Sequence, residues 1–372
     1  MILIGILIRL YADANKLSFP WLETILPTVG AIGLILIVLD GALELSIVKE
    51  KRGLITRAFL SALCGLLLTI TALTLLFHFG FHLDMHKSIV NAIPLSIISS
   101  AIAIPSSIGF PSKNREFIIY ESTFSDILGI ILFNHVVSTT SFSPIVFWSF
   151  SIEIVIILVI TLICSFLLVR VLDKIEHKIK YFLLVAVLII LYAVGKMLQV
   201  SSLMLVFFFG LLIANSRNLF PKFIGRRIDH EKNDVHLRQL HLLTGESAFL
   251  IRTFFFLIFG YTIAIRKLEN PWLLLWGSII FILIFLVRFL YLRVTNRDKI
   301  SPEVYIAPRG LINILLFLSI PSVYRSEIIN QYVLLIVLLL SLLMMIWGGI
   351  SMKKPRDRRE MIDDVREFSS KI

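Results

Sequence analysis

"EFIIYESTFSDILGIILFNHVV", residues 116–137, is apolar enough to cross a bilayer, yet it carries Glu121 and Asp126 near its middle. An ionisable side chain at mid-membrane costs roughly 2.5–3.5 kcal/mol on insertion scales. It persists where it faces a cavity, a partner or a transported ion.

The surroundings of this stretch are equally apolar. Of 372 residues 58% are hydrophobic and only 16% are charged, with a mean hydropathy of +0.91. No water-soluble globule of this length needs such a balance. Spanning a bilayer takes about 20 apolar residues in a helix, and backbone groups in lipid must be satisfied internally. Long apolar runs without ten-residue alternation therefore predict helices, not barrel strands. Runs at about 1–11, 25–46, 54–79, 88–108, 115–137, 145–169, 181–198, 200–214, 245–265, 271–292, 303–321 and 329–350 predict an all-α polytopic membrane protein of about 12 transmembrane helices.

The net charge of +11 follows the loops. With the N-terminus inside, the inner loops and the tail hold 26 Lys and Arg residues against 6 in the outer loops. This bias predicts cytoplasmic termini and makes nucleic acid an unneeded partner. The only long polar connection, 215–244, reads as a basic cytoplasmic loop on the membrane surface, and 353–372 as a short basic tail. No Gly-rich phosphate loop appears, so ATP-driven transport is not supported. Cys64 and Cys164 lie in separate apolar runs and read as buried structural thiols.

Two segments interrupt their helices with Pro and Gly: "SSAIAIPSSIGF", 99–110, and "YIAPRGLINI", 305–314. Pro removes a backbone donor, and unwound backbone is tolerated in a membrane where it lines a cavity. Counted from the end, helices 8–12 overlay helices 1–5, entering from the opposite side. This predicts inverted five-helix repeats with two unwound crossing helices and a site at the midplane, the plan of a secondary transporter.

Depth then sorts the charges. Asp126 falls near the centre of its helix, and Glu121 lies about 8 Å nearer the cytoplasm at about 1.5 Å per residue. Arg288, on a helix running the other way, falls at the depth of Glu121, which predicts a buried ion pair. Asp126 is left without an obvious cation. A carboxyl group in a partly desolvated cavity with no fixed partner can trade a proton for a small cation.

Four stretches together resemble the cation/proton antiporter superfamily in its sodium/proton exchanger branch. "YESTFSD", 120–126, is similar to the family's Gly-Glu-Ser-Leu-x-Asn-Asp segment through Glu121, Ser122 and Asp126, with Tyr120 and Ser125 departing. "LDGALEL", 39–45, resembles Phe-Glu-Ala-Gly-Leu-Glu-Leu, with Asp40 and Glu44 as its acids. "APRGLI", 307–312, matches Gly-Leu-Arg-Gly through Arg309 and Gly310, and "LVRFLY" places Arg288 at the arginine that pairs with the glutamate. Where the family has Thr-Asp-Pro, this chain has Ala103-Ile104-Pro105, which removes an acid and leaves Ser106 or Ser107 to replace a hydroxyl.

The resemblance implies an antiporter domain over 1–352, in which a core (about 88–137, 245–265 and 303–350) moves against a dimerising scaffold. It also implies an additional helix at the N-terminus of most members. The expected function is exchange of a monovalent cation, Na+ first and Li+ or K+ next, for H+. Asp126, Ser125 and Ser122 would hold the ion, Glu121 and Arg288 would support them, and Asp40, Ser106 and Arg309 are secondary candidates. A single exchanging acid predicts an electroneutral cycle. No cofactor or fixed metal is implied; the expected partners are lipid and a second copy, in a bacterial inner membrane.

The rival reading within transport is a sodium-coupled symporter of an organic solute, against which two buried carboxylates argue. A membrane-embedded hydrolase or transferase using Glu121, Asp126 and His135 is disfavoured, because His135 lies nine residues from Asp126. His78, His82 and His86 beside Asp84 invite a zinc site, but "FHFGFHLDMH" straddles a loop and reads as a helix end with interfacial histidines. Arg252 reads as snorkelling to the inner surface.

Overall fold

The computed structural model describes residues 1–45 apart from 18 and 20, 49–138, parts of 152–164, 180–198, 202–215, 230–263, 270–295 and 302–352. Every regular element among them is helical. The first half holds α1 (Ile2–Ala14), α2 (Trp21–Glu44), α3 (Arg52–Leu75), α4 (Met85–Ser96), α5 (Ser100–Ser106) and α6 (Ser112–Ser138). The second holds α7 (Lys180–Met197), α8 (Ser202–Ala214), α9 (His230–Thr262), α10 (Pro271–Thr295), α11 (Leu311–Leu318) and α12 (Gln331–Met352).

Six helical stretches among the described residues are long and apolar enough to cross a membrane: Thr24–Glu44, Arg52–Gly80, Met85–Ser106, His241–Thr262, Pro271–Thr295 and Gln331–Ile350. The α6 helix is long enough but more polar, and it buries the polar residues of its middle. Glu121, Ser122, Thr123, Ser125 and Asp126 are all buried, the arrangement expected of a helix enclosed by other helices rather than by lipid.

Packing divides the helices into two groups. In one, α9 runs along α1 and α2, while α2 lies on α8 and α8 on α7. In the other, α3 packs on α4, α6 and α10, α10 on α12, and α5 on α6. The groups meet chiefly where α11 touches α2 and α9 and where α6 touches α2 and α8. The segment 245–262 packs with α1 and α2, and its helix also touches α11.

Each of the two predicted interruptions takes a definite form. The run 88–108 is split into α4 and α5 by extended backbone at Ile97 and Ser99, and α11 is preceded by non-helical backbone over 306–310. The break before α5 falls at 97–99, ahead of Pro105, which stays inside α5. Part of the predicted polar loop is helical, since 230–244 forms the start of α9; 216–229 lies outside the described residues, as does most of the run predicted at 145–169. Cys64 is exposed on α3 and not buried as expected, while Cys164 is half-buried.

The histidine run straddles the end of one helix and the start of the next. His82 adopts a left-handed backbone, the His78 ring bonds the Leu83 carbonyl, and Asp84 caps α4 by accepting the His86 N–H at 3.0 Å. Among the described residues no cluster of three or more His, Cys, Asp or Glu has metal-binding geometry.

Candidate functional site

Breaking a helix inside a membrane frees backbone groups that lipid cannot satisfy, so each must find a partner within the protein. The break between α4 and α5 does so on its donor side at three successive residues. The Ile98 N–H donates to Ser125 Oγ at 3.0 Å, the Ser99 N–H to the Pro308 carbonyl at 2.9 Å, and the Ser100 N–H to Asp126 Oδ2 at 3.0 Å. Two of these acceptors are side chains one position apart on α6. The polar sequence of that helix is thus matched to the gap it faces.

The carbonyl side is held by the second interruption. Asn313 Nδ2 donates to Pro94 O at 2.7 Å and to Ile97 O at 2.8 Å, while its Oδ1 accepts the Gly310 N–H at 2.7 Å. Arg309, buried at 4% exposure, donates from Nε to Leu95 O at 3.2 Å and from Nη1 to Ala307 O at 2.6 Å. Its guanidinium thereby sits at the negative end of α4, where a cation is favoured. The two segments approach so closely that a Cβ on Gly310 would lie 2.4 Å from Ser99 Oγ, and one on Gly129 of α6 would lie 2.3 Å from Ile97. At Gly310 the approach leaves no room for a Cβ, and at Gly129 a Cβ would have to displace the Ile97 side chain.

Asp126 is at the centre of this crossing, with 4% of its surface exposed. Its Oδ2 is held by the Ser100 N–H, and its Oδ1 is buried with no hydrogen-bond donor among the described residues; Ser99 Oγ, one residue away from Ser100, is likewise buried and unpartnered. A buried carboxylate oxygen without a donor is costly unless a proton or a cation neutralises it.

Glu121, five residues earlier on α6, is fully satisfied. Arg288 of α10 meets it through two nitrogens, Nη2 to Oε2 at 2.9 Å and Nη1 to Oε1 at 3.3 Å, and Ser61 of α3 donates to Oε1 at 2.6 Å. The same guanidinium donates to the Glu303 carbonyl, at 3.1 Å from Nε and 2.6 Å from Nη2, and so ties the approach to the second interruption onto α6. Geometry of this kind gives a buried pair enough hydrogen bonds to offset its desolvation.

Towards the end of α2, Asp40 and Glu44 lie one turn apart. His241 of α9 has its Nε2 4.0 Å from Asp40 Oδ1, and Glu44 Oε2 is buried without a partner. Arg252, also on α9, donates from Nη1 to the Ala101 carbonyl at 2.7 Å, and its charge acts on Asp40, Glu44 and Asp126 together. Sequence depth placed Arg252 near the inner surface; the structure turns it inward, and Asp126 has this cation within electrostatic range. The signal available in the sequence was the pair of acids at i and i+4 on α2, which need a counter-charge from a neighbouring helix.

Two candidates lie differently. Ser122 donates to Ile118 O at 2.7 Å within its own helix, and Ser106 closes α5 six residues beyond the Ser100 N–H that meets Asp126. Asp126, Ser125, Ser99 and Ser100 are brought together; Ser122 and Ser106 stand outside that contact set.

The profile described as sodium/hydrogen exchanger, transmembrane, matches residues 1–355. The fold is similar to that of the sodium proton antiporter MjNhaP1 from Methanocaldococcus jannaschii at pH 8. The two share 20% identity over 94% of this chain and 91% of that one, with a TM-score of 0.70. A second structure of that antiporter, from electron microscopy, aligns over 95% of this chain and 97% of its own, at 19% identity and a TM-score of 0.61. No curated protein matches the chain by sequence.

Proposed function

The chain belongs to the sodium/hydrogen exchanger family, and is therefore a membrane transporter rather than an enzyme. On that premise we propose that it exchanges a monovalent cation, Na+ before Li+ or K+, for H+ at Asp126. The observation that carries this reading is the state of Asp126: a buried carboxylate at the meeting of two interrupted helices, with one oxygen held by the Ser100 N–H and the other without a donor among the described residues.

The free oxygen is where either ion neutralises the charge. When the carboxyl is protonated, Oδ1 becomes an O–H donor; when the proton leaves, the same oxygen accepts a dehydrated cation, with the hydroxyl oxygens of Ser99 and Ser125 as neighbouring ligands. Backbone anchored by Asn313 and Arg309 fixes the gap without adding a titrating acid. Glu121 is neutralised by Arg288, so it supports the crossing and does not exchange. One acid that carries either one proton or one monovalent cation gives a one-for-one, electroneutral cycle. No cofactor enters it.

We further infer that both termini lie on the cytoplasmic side of a bacterial inner membrane, from the charge bias of the loops, and that two copies associate as a homodimer. The experiment that tests the function is proton flux in proteoliposomes after addition of Na+, Li+ or K+, with no organic solute present. Cation-driven flux supports antiport. Flux that needs an organic solute would support the symport reading instead.

A further inference from the structure

Arg252 belongs by packing to the group formed by α1, α2, α8 and α9, yet its Nη1 donates across the divide to the Ala101 carbonyl of α5 at 2.7 Å. Ala101 follows Ser100, whose N–H holds Asp126. The guanidinium is thus fixed at one end to the broken helix that frames the ion site. At the other end its charge reaches Asp40 and Glu44 of its own group without an ion pair to either, and its Nε is buried and without an acceptor.

Asp40, Glu44 and Asp126 supply three carboxyl groups; Arg252 and His241 face them from α9, and Arg115 of α6 adds its charge at Glu44. Arg288 is engaged by Glu121, and Arg309 is bound to carbonyls on the other side of the crossing. An unfilled donor on the cation and unfilled acceptors on Glu44 and Asp126 lie in the same region, so the guanidinium is not locked to any one acid.

We propose that Arg252 is a positioning residue that acts as a tethered internal cation, occupying the acidic region between Asp126, Asp40 and Glu44 in competition with the transported one. It rests on the proposed antiport at Asp126. An arriving cation must lower the hold of the guanidinium on these acids, and a departing one is replaced by it. The tether therefore sets affinity low enough for release. Because its anchor lies on one helix group and its hydrogen bond on the other, the same contact has to part whenever the groups move relative to each other.

The test separates binding from turnover. Cation-driven proton flux is measured at alkaline pH, where competition by protons is smallest, for wild type, R252K and R252Q, alongside cation-dependent thermal shifts of the purified proteins. Removing one charge from partly desolvated protein near the site should lower the cation KM of R252Q roughly tenfold and reduce kcat. R252K, which keeps the charge, should retain the wild-type KM within about twofold. Should R252Q be too unstable, E44Q/R252Q compared with E44Q reads the same difference, since neutralising one acid together with the arginine keeps the net charge of the region as in the wild type. An unchanged or raised KM in R252Q, or R252K behaving like R252Q, would overturn the tethered-cation role while leaving antiport intact. Wild-type protein that moves no cation would overturn both.

Discussion

Arg288 Nη2 sits 2.9 Å from Glu121 Oε2, and the two side chains are the most completely satisfied ions in the membrane-embedded part of the described structure, Ser61 and the Glu303 carbonyl filling their remaining sites. Removing either partner strands the other. E121Q or R288M alone should destabilise the protein by about 3–5 kcal/mol, and the double substitution should recover part of that loss. A thermal-melt cycle in detergent measures the coupling; strictly additive losses would show that the pair contributes nothing as a pair.

Asn313 should behave as a structural keystone. Its amide serves three backbone groups, those of Pro94, Ile97 and Gly310, each buried and each without a substitute. N313A leaves all three unsatisfied, and at about 1 kcal/mol or more apiece the loss should reach roughly 3 kcal/mol. Protein with an unaltered melting temperature and wild-type transport would contradict the role assigned to it.

The approach of Gly310 to Ser99 makes a steric prediction. G310A places a Cβ 2.4 Å from Ser99 Oγ and 2.7 Å from Ser99 Cβ, so the two interrupted segments must separate. Overpacking of this kind costs about 1–3 kcal/mol, and transport should fall further than stability because Asp126 loses its alignment with Ser100. S99G, which removes both clashing atoms, should restore part of the stability lost in G310A. No recovery in the double variant would argue against this contact as the cause.

Much of this arrangement was legible in the chain. Glu121 and Arg288 were paired by depth alone, because helix rise converts sequence position into height and two opposite charges at one height in lipid have little alternative. The two interruptions were visible as Pro and Gly in apolar runs. The position of the first was not: it falls at Ile97–Ser99, set by acceptors on α6 and on the other interrupted segment, while Pro105 is accommodated inside α5. Only tertiary partners mark that site, and local propensity carries no trace of them. Ser122 was carried over as a ligand by its match to the family motif; its hydroxyl bonds the carbonyl four residues back, as helical serines commonly do. Arg252 was misjudged for a related reason, since a long side chain near a helix end snorkels by default unless a partner, here the Ala101 carbonyl, draws it inward.

Stoichiometry offers a sharper test of the single-acid account. A net elementary charge moved through the membrane field is worth about 2.3 kcal/mol per 100 mV, so an electrogenic cycle would respond strongly to voltage. A one-for-one exchange at Asp126 should not. Transport at fixed ion gradients should keep the same rate and reversal point as the membrane potential is clamped at several values. A shift with voltage would bring Asp40, beside His241, into the cycle as a second exchanging acid.

The central claim, that Asp126 is the residue on which cation and proton alternate, is tested most directly by D126N in proteoliposomes. The amide preserves size and still accepts the Ser100 N–H, but it can neither carry a titrating proton nor neutralise a cation. Folded D126N, verified by its melting temperature, should show no Na+-, Li+- or K+-driven proton flux. Retained exchange in well-folded D126N would contradict the account.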